Sequence, residues 1–215
     1  MKEKLLKGLK WFYKSYIWLG IVLFGLDIFT KQLMMSLSNN QIGTIADWGI
    51  VRITYTLNEG AAFGMGTGDP VTNRVIYLII ASVISAGIAA YLIIKRKTTN
   101  LFVRASLIMV ITGALGNVAD GVFYGPLQGK SGLFTGRVVD WIDFYWVWDY
   151  VFNIADCCIV IAAFMLIFYA IVGEVKDYRA RKKLEVKTVE ATKKVLSKTE
   201  REIEEAKTNS EETSD

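Results

Sequence analysis

The chemistry this chain has to offer rests on two aspartates, Asp140 and Asp156. They stand in the short contexts Gly136-Arg137-Val138-Val139-Asp140 and Phe152-Asn153-Ile154-Ala155-Asp156. The chain has no histidine, and its only cysteines, Cys157 and Cys158, are adjacent within an apolar run, where they read as small fillers. Most routes to an activated nucleophile or a metal centre are therefore closed, and no metal or cofactor is expected. A carboxylate pair needs neither. The ionised member takes a proton from water, which attacks a carbonyl; the protonated member hydrogen-bonds that carbonyl and protonates the leaving amine. Two close carboxylates in a weakly solvated site cannot both ionise cheaply, so one keeps a proton near neutral pH. Asp140 and Asp156 are 16 positions apart, so only the fold can bring them together.

The elements that must do this are set by composition. Of 215 residues, 53% are apolar, and they are gathered in blocks. Four blocks approach the roughly 20 residues needed to cross a hydrocarbon core. They lie at about 18–35, 75–94, 102–119 and 151–172. The first has a basic lead-in but no small-residue cleavage site, and Asp27 and Lys31 interrupt it. It therefore reads as a retained helix rather than a secretory signal. Basic residues cluster in the N-terminal arm, in Lys95-Arg96-Lys97 with Arg104, and from Lys176 to Lys183. With four crossings, all three regions fall on one side, which predicts cytoplasmic termini and two outward-facing connections. This basic charge speaks of topology and anionic lipid rather than nucleic acid.

The outward connections carry strand character. Val51, Ile53, Tyr55 and Leu57 alternate with Arg52, Thr54 and Thr56, a period of two. The stretch Asn58-Glu59-Gly60-Ala61-Ala62-Phe63-Gly64 follows, with small residues where backbone turns or approaches closely. β-branched and aromatic residues dominate from Arg137 to Trp148. Two strand-like pieces predict a small sheet on the outer membrane face. Trp141, Tyr145, Trp146, Trp148 and Tyr150 suit the interfacial aromatic belt. The predicted organisation is a four-helix membrane domain over 1–173 and a charged cytoplasmic tail over 174–215, helical and fraying at its polar end.

Six polar residues interrupt the apolar blocks: Asp27 and Lys31, Asn117 and Asp120, Asn153 and Asp156. Asp27 and Lys31 are spaced i, i+4 and form a candidate neutral pair. The other two pairs are spaced i, i+3, so each shares a helix face. With the N-terminus inside, all six fall near the outer side at a common depth. Ionisable groups at membrane depth are costly and usually functional. Asn117 also reads as interhelical glue beside Gly113 and Gly116. Together with Asp140, the set predicts one polar pocket.

Five blocks now carry a resemblance. They are Asp27-x-x-x-Lys31, Asn58-x-Gly60-Ala61-Ala62-Phe63, Gly113-x-x-Gly116-Asn117-x-x-Asp120, Val138-Val139-Asp140 and Phe152-Asn153-x-Ala155-Asp156. In order and placement they resemble lipoprotein signal peptidase, the type II signal peptidase of bacteria, over residues 12–172. The resemblance implies an aspartic endopeptidase of four transmembrane helices with a small outward β-sheet, the β-cradle. It implies removal of the signal peptide from diacylglyceryl-modified prolipoproteins, with cleavage before the lipidated cysteine. It implies Asp140 and Asp156 as the catalytic pair. Asn58, Gly60, Asn117, Asp120, Asn153, Ala155, Asp27 and Lys31 fall on supporting or substrate-pocket positions. It further implies a multi-pass protein of the bacterial cytoplasmic membrane, with its site near the outer face, inhibited by globomycin. The expected partners are lipidated prolipoproteins and membrane lipid, and the protein is expected to be a monomer.

Two departures stand out. The family arginine after the third-block aspartate is replaced here by Gly121, and GPLQGKSGLF lengthens the stretch from Asp120 to Asp140. Arg137 is the candidate to supply what that arginine does. The alternative function is a small multi-span transporter with an intramembrane Asp/Lys cargo site. Four crossings without a repeat, and polar groups near one face rather than the midplane, argue against it.

Overall fold

The computed structural model describes residues 2–59 and 70–212. Its helices are α1 (Lys2–Ser15), α2 (Ile17–Leu37), α3 (Pro70–Ile94), α4 (Leu101–Phe123) and α5 (Ile154–Glu212), and its strands are β1 (Gly43–Asp47), β2 (Arg52–Asn58), β3 (Val138–Asp143) and β4 (Val151–Phe152). Among the described residues, four helices are long and apolar enough to cross a membrane: Ile17–Leu37, Val71–Ile94, Leu101–Phe123 and Ile154–Glu190. Two compact units are distinguished, Met1–Leu166 and Ile167–Asp215. The second continues α5, and its side chains from Asp177 to Glu190 are exposed.

Each apolar run has a physical stop. Tyr16, with φ 59°, breaks the chain between α1 and α2. Asn39 and Asn40 follow α2 with φ of 50° and 60°, a backbone state that asparagine tolerates better than most residues. Asn100 starts α4 by accepting from the Phe102 amide at 2.7 Å. The fourth apolar run is not helical throughout: Val151–Phe152 is a strand and the helix begins at Ile154. Apolarity alone does not separate a buried strand end from a helix, and the polar Asn153 marks the change.

The four strands form one antiparallel sheet in the order β1-β2-β3-β4, two more than the alternation predicts. β1 and β4, at five and two residues, are too short to show a period. One face of the sheet packs Tyr55 and Val139 against Met34 and Met35 of α2 and against Tyr124, which follows α4. Fixing this face against the helices leaves the other face to carry Asp140.

Candidate active site

Side chains on a strand alternate between faces. Val139 and Trp141 of β3 turn toward the core, so Asp140 between them points the other way. In the β2–β3 register Thr56 faces Asp140 and Asn58 faces Val138. Asn58 is thus diagonal to Asp140 on the same face, and its Nδ2 donates to Asp140 Oδ2 at 3.2 Å. Asp140 is buried, and burial followed by the negative charge of Asp156 pushes its carboxyl above the ordinary carboxylate range.

Asp156 comes from the first turn of α5, and the local sequence explains how. Asn153 immediately precedes the first helical residue. Its Oδ1 accepts from the Asp156 amide at 2.9 Å, while its own amide donates to Asp156 Oδ2 at 3.1 Å. This reciprocal arrangement is a capping box built from asparagine and aspartate. The Nδ2 of Asn153 remains free for other work and donates to Asp140 Oδ1 at 2.6 Å. One fully buried residue therefore touches both aspartates. Asp156 itself is only half-buried, and its Oδ1 accepts from Asn117 Nδ2 at 2.8 Å.

Beneath them lies Lys31, with 0% of its side chain exposed. Its Nζ reaches Asp27 Oδ2 at 2.8 Å, Asp120 Oδ2 at 2.9 Å and Asn117 Oδ1 at 2.9 Å. Each of these partners reaches onward. Asp27 Oδ1 accepts from the Ala155 amide at 2.9 Å, satisfying one of the orphan donors at the start of α5. Asp120 Oδ2 accepts from the Val139 amide at 3.0 Å and so ties β3 to α4. Asn117 Oδ1 also accepts from Asn153 Nδ2 at 3.0 Å. The ammonium is linked to Asp156 through Asn117, and to Asp140 through Asn117 and Asn153.

Close helix approach makes this network possible. A Cβ at Gly113 would stand 2.3 Å from the Ala155 carbonyl oxygen, and one at Gly116 would stand 2.6 Å from Asp27 Oδ2. The two glycines let α4 meet both α5 and α2 at the depth of the polar groups.

Asp140, Asp156, Asn58, Asn117, Asp120, Asn153, Ala155, Asp27 and Lys31 thus come together, whereas Gly60, with Ala61 and Ala62, lies outside the described residues. Two features escape the sequence reading. Tyr77 of α3 brings its hydroxyl to the Asn117 side chain; a single tyrosine in a long apolar run gives a weak signal. The other is an ion cluster on Glu59, next to Asn58. Buried Arg74 pairs with Glu59, and Arg137 Nη1 and Lys130 Nζ lie 3.7 and 3.9 Å from its Oε1. At the departure from the family pattern, a Cβ on Gly121 would meet Leu78 Cδ2 at 2.8 Å, so α3 occupies the space a side chain would need. The inserted loop returns to α4 instead, with the Gly136 amide on the Gly121 carbonyl at 3.1 Å.

Arg137 leads into β3 and braces the residue beside Asn58, so its loss should act through Asn58 and Asp140. Arg137→Ala is expected to lower turnover several-fold with little change in melting temperature, since a partly exposed pair is worth about 0.2–1 kcal/mol. Unchanged turnover would remove Arg137 from the site.

The comparisons with known proteins agree with one another. A family model described as signal peptidase (SPase) II matches residues 19–172. The lipoprotein signal peptidase of Clostridioides difficile (strain 630) is 34% identical over 165 residues, covering 75% of this chain and 98% of that protein. The lipoprotein signal peptidase of Haemophilus influenzae (strain KW20 / Rd) is 30% identical over 178 residues, covering 82% and 93%. A solved structure described as a bacterial membrane enzyme, determined by the in meso method, is similar with a TM-score of 0.58 and 28% identity, covering 73% of this chain and 87% of that one. None of these matches supports the transporter alternative.

Proposed function

Because the chain belongs to the signal peptidase II family, we propose that it removes the signal peptide from prolipoproteins by aspartic catalysis at Asp140 and Asp156. The observation that carries the catalytic assignment is Asn153, whose side chain and amide reach one aspartate each. The substrates are prolipoproteins bearing a diacylglyceryl-modified cysteine, cut just before that residue. Such a substrate is a membrane helix whose acyl chains stay in the bilayer while the polar pocket reads the peptide.

Burial divides the labour. Asp140, inside and raised by its surroundings, holds the proton. Asp156, half-exposed and receiving hydrogen bonds from Asn117 and the Asn153 amide, is the ionised base. Asp156 takes a proton from water as the oxygen attacks the scissile carbonyl. Asp140 hydrogen-bonds the developing oxyanion. Collapse of the tetrahedral intermediate breaks the C–N bond, with a proton delivered to the leaving amine. No acyl-enzyme forms on this route. Asp27, Lys31, Asp120, Asn58 and Asn117 hold the pair in place. The basic flanks put both termini in the cytoplasm and the site at the outer face. The peptidase acts as a monomer, a reading consistent with both aspartates and their described neighbours coming from a single chain.

The test is purified protein with a lipidated prolipoprotein, read by gel shift. Release of the signal peptide is expected, with no cleavage of the unlipidated precursor and no inhibition by serine or cysteine reagents. Activity should fall on the alkaline side as the proton on Asp140 is lost. Cleavage that rises steadily through that range would contradict the protonated role of Asp140.

A further inference from the structure

At the opposite end of the helices from the catalytic network lies a cavity of about 540 Å³, within the range of small-ligand sites. Its cations are Lys10 and Lys14 of α1, Arg96 and Lys97 of the turn after α3, and Arg104 of α4. Among the described residues no acid lines it, and the only acid of α1, Glu3, is occupied by Lys7 at 2.8 Å. Arg104 builds the cavity rather than balancing it. Its guanidinium donates to the carbonyl oxygens of Lys14 and Arg96 at 3.1 and 2.6 Å, stapling the end of α1 to the α3–α4 turn. The other four cations are exposed and lack carboxylate partners among the described residues. Trp11 and Leu92 give the same cavity an apolar side.

The apolar side does not end there. A second space, a groove of about 510 Å³, follows the seam of α2 and α4 and shares Ile17 and Ile108 with the first. Phe24, Ile111 and Leu115 line its farther part. Gly25 opens its wall, for a Cβ there would meet nothing within 4 Å. A charged chamber thus runs into an apolar channel pointing along the membrane-spanning helices.

We propose that this cavity and groove together bind one anionic phospholipid, with its phosphate among Lys10, Lys14, Arg96 and Lys97 and an acyl chain along the α2–α4 seam. The charge calls for an anion, and the groove calls for a hydrocarbon chain attached to it. Basic pockets between membrane helices are suited to anionic headgroups. A free phosphate would use only the first chamber, and a neutral lipid only the second. On the topology proposed above, the lipid belongs to the cytoplasmic leaflet.

Native mass spectrometry of the full chain in neutral detergent tests this, with phosphatidylglycerol and phosphatidylcholine at equal concentration. Phosphatidylglycerol should be retained on the order of tenfold over phosphatidylcholine, and Lys14→Glu/Lys97→Glu should erase the preference. Lys14→Gln/Lys97→Gln serves as a milder pair if charge reversal disturbs insertion. Gly25→Leu, whose Cβ has open space and whose side chain narrows the groove, should lower retention with the lysines intact. Equal retention of the two lipids would overturn the proposal, as would a lysine variant that folds and keeps the preference. Displacement by glycerol 3-phosphate as effective as displacement by a second phospholipid would overturn the lipid assignment. Binding is read without a peptide substrate, so its failure leaves the peptidase assignment standing, and the reverse also holds.

Discussion

Asp140→Asn and Asp156→Asn are each expected to leave lipidated prolipoprotein uncut, with activity lower by about 10³-fold or more. Neither amide can cycle a proton between water and a leaving amine, and the remaining aspartate has no partner. The two variants should differ in stability. At position 140 an amide oxygen can keep the donor Asn153 Nδ2, and the amide that replaces Oδ2 takes the side facing Asn58. At position 156 both carboxylate oxygens accept, one from the Asn153 amide and one from Asn117 Nδ2. An asparagine there supplies only one acceptor. Asn117 cannot turn over to compensate, because its Oδ1 is held by Lys31 and Asn153. Asp156→Asn should therefore lose about 1–3 kcal/mol, and Asp140→Asn less, because burial already favours the neutral form of that side chain.

The sign of the pH dependence separates them further. The carboxyl of Asp140 is raised in the folded protein. Its contribution to stability is full below the ordinary carboxylate range and is lost as pH rises through the raised value. The melting temperature of the parent protein should fall toward alkaline pH relative to that of Asp140→Asn. Near-normal processing by either variant in a gel-shift assay would dismiss the pair as the catalytic centre.

Lys31→Met is expected to be the most damaging single change to the fold. The methionine fills a similar volume but leaves Asp27 and Asp120, both fully buried, without their ammonium. Removing one member of a buried ion cluster costs about 3–5 kcal/mol, because the remaining charges have no solvent to fall back on. Activity should fall as well, since Asn117 loses one of the two donors that fix its amide. Lys31→Arg should not rescue it, for a planar fork does not place donors as a rotating ammonium does. Adding Asp27→Asn and Asp120→Asn to Lys31→Met should recover part of the stability by removing the uncompensated charge. Detergent-solubilised unfolding measures all of these, and a wild-type midpoint for Lys31→Met alone would show that the cluster does not hold the helices.

Local spacing made part of this site legible. Asp27 and Lys31 are one helical turn apart, so their 2.8 Å pair is written in the sequence. That Lys31 also reaches Asp120 and Asn117 is not, because those contacts depend on how closely α2 and α4 pack. Gly116 hints at that approach but does not name what it admits. The i, i+3 spacing of Asn153 and Asp156 was readable as a shared face. Its sharper meaning, a cap that begins a helix, was hidden by the apolar residues on both sides, which made the run look helical from Val151. The alternation in β2 marked a strand, while β4 is two residues long and exists only because β3 lies beside it. The Glu59 cluster draws cations from α3 and the inserted loop, and no local pattern predicts such a meeting.

The position of Asn153 has a consequence for biogenesis. Membrane helices can insert and then associate, whereas a sheet outside the bilayer closes only when its strands have arrived. Asp156 enters with α5, but Asp140 takes its place only when β3 pairs with β2 and β4. A chain with inserted helices and an open sheet would therefore hold a single acid. Until that strand docks the proposed catalytic pair is incomplete, so closing the sheet and completing the site are one event.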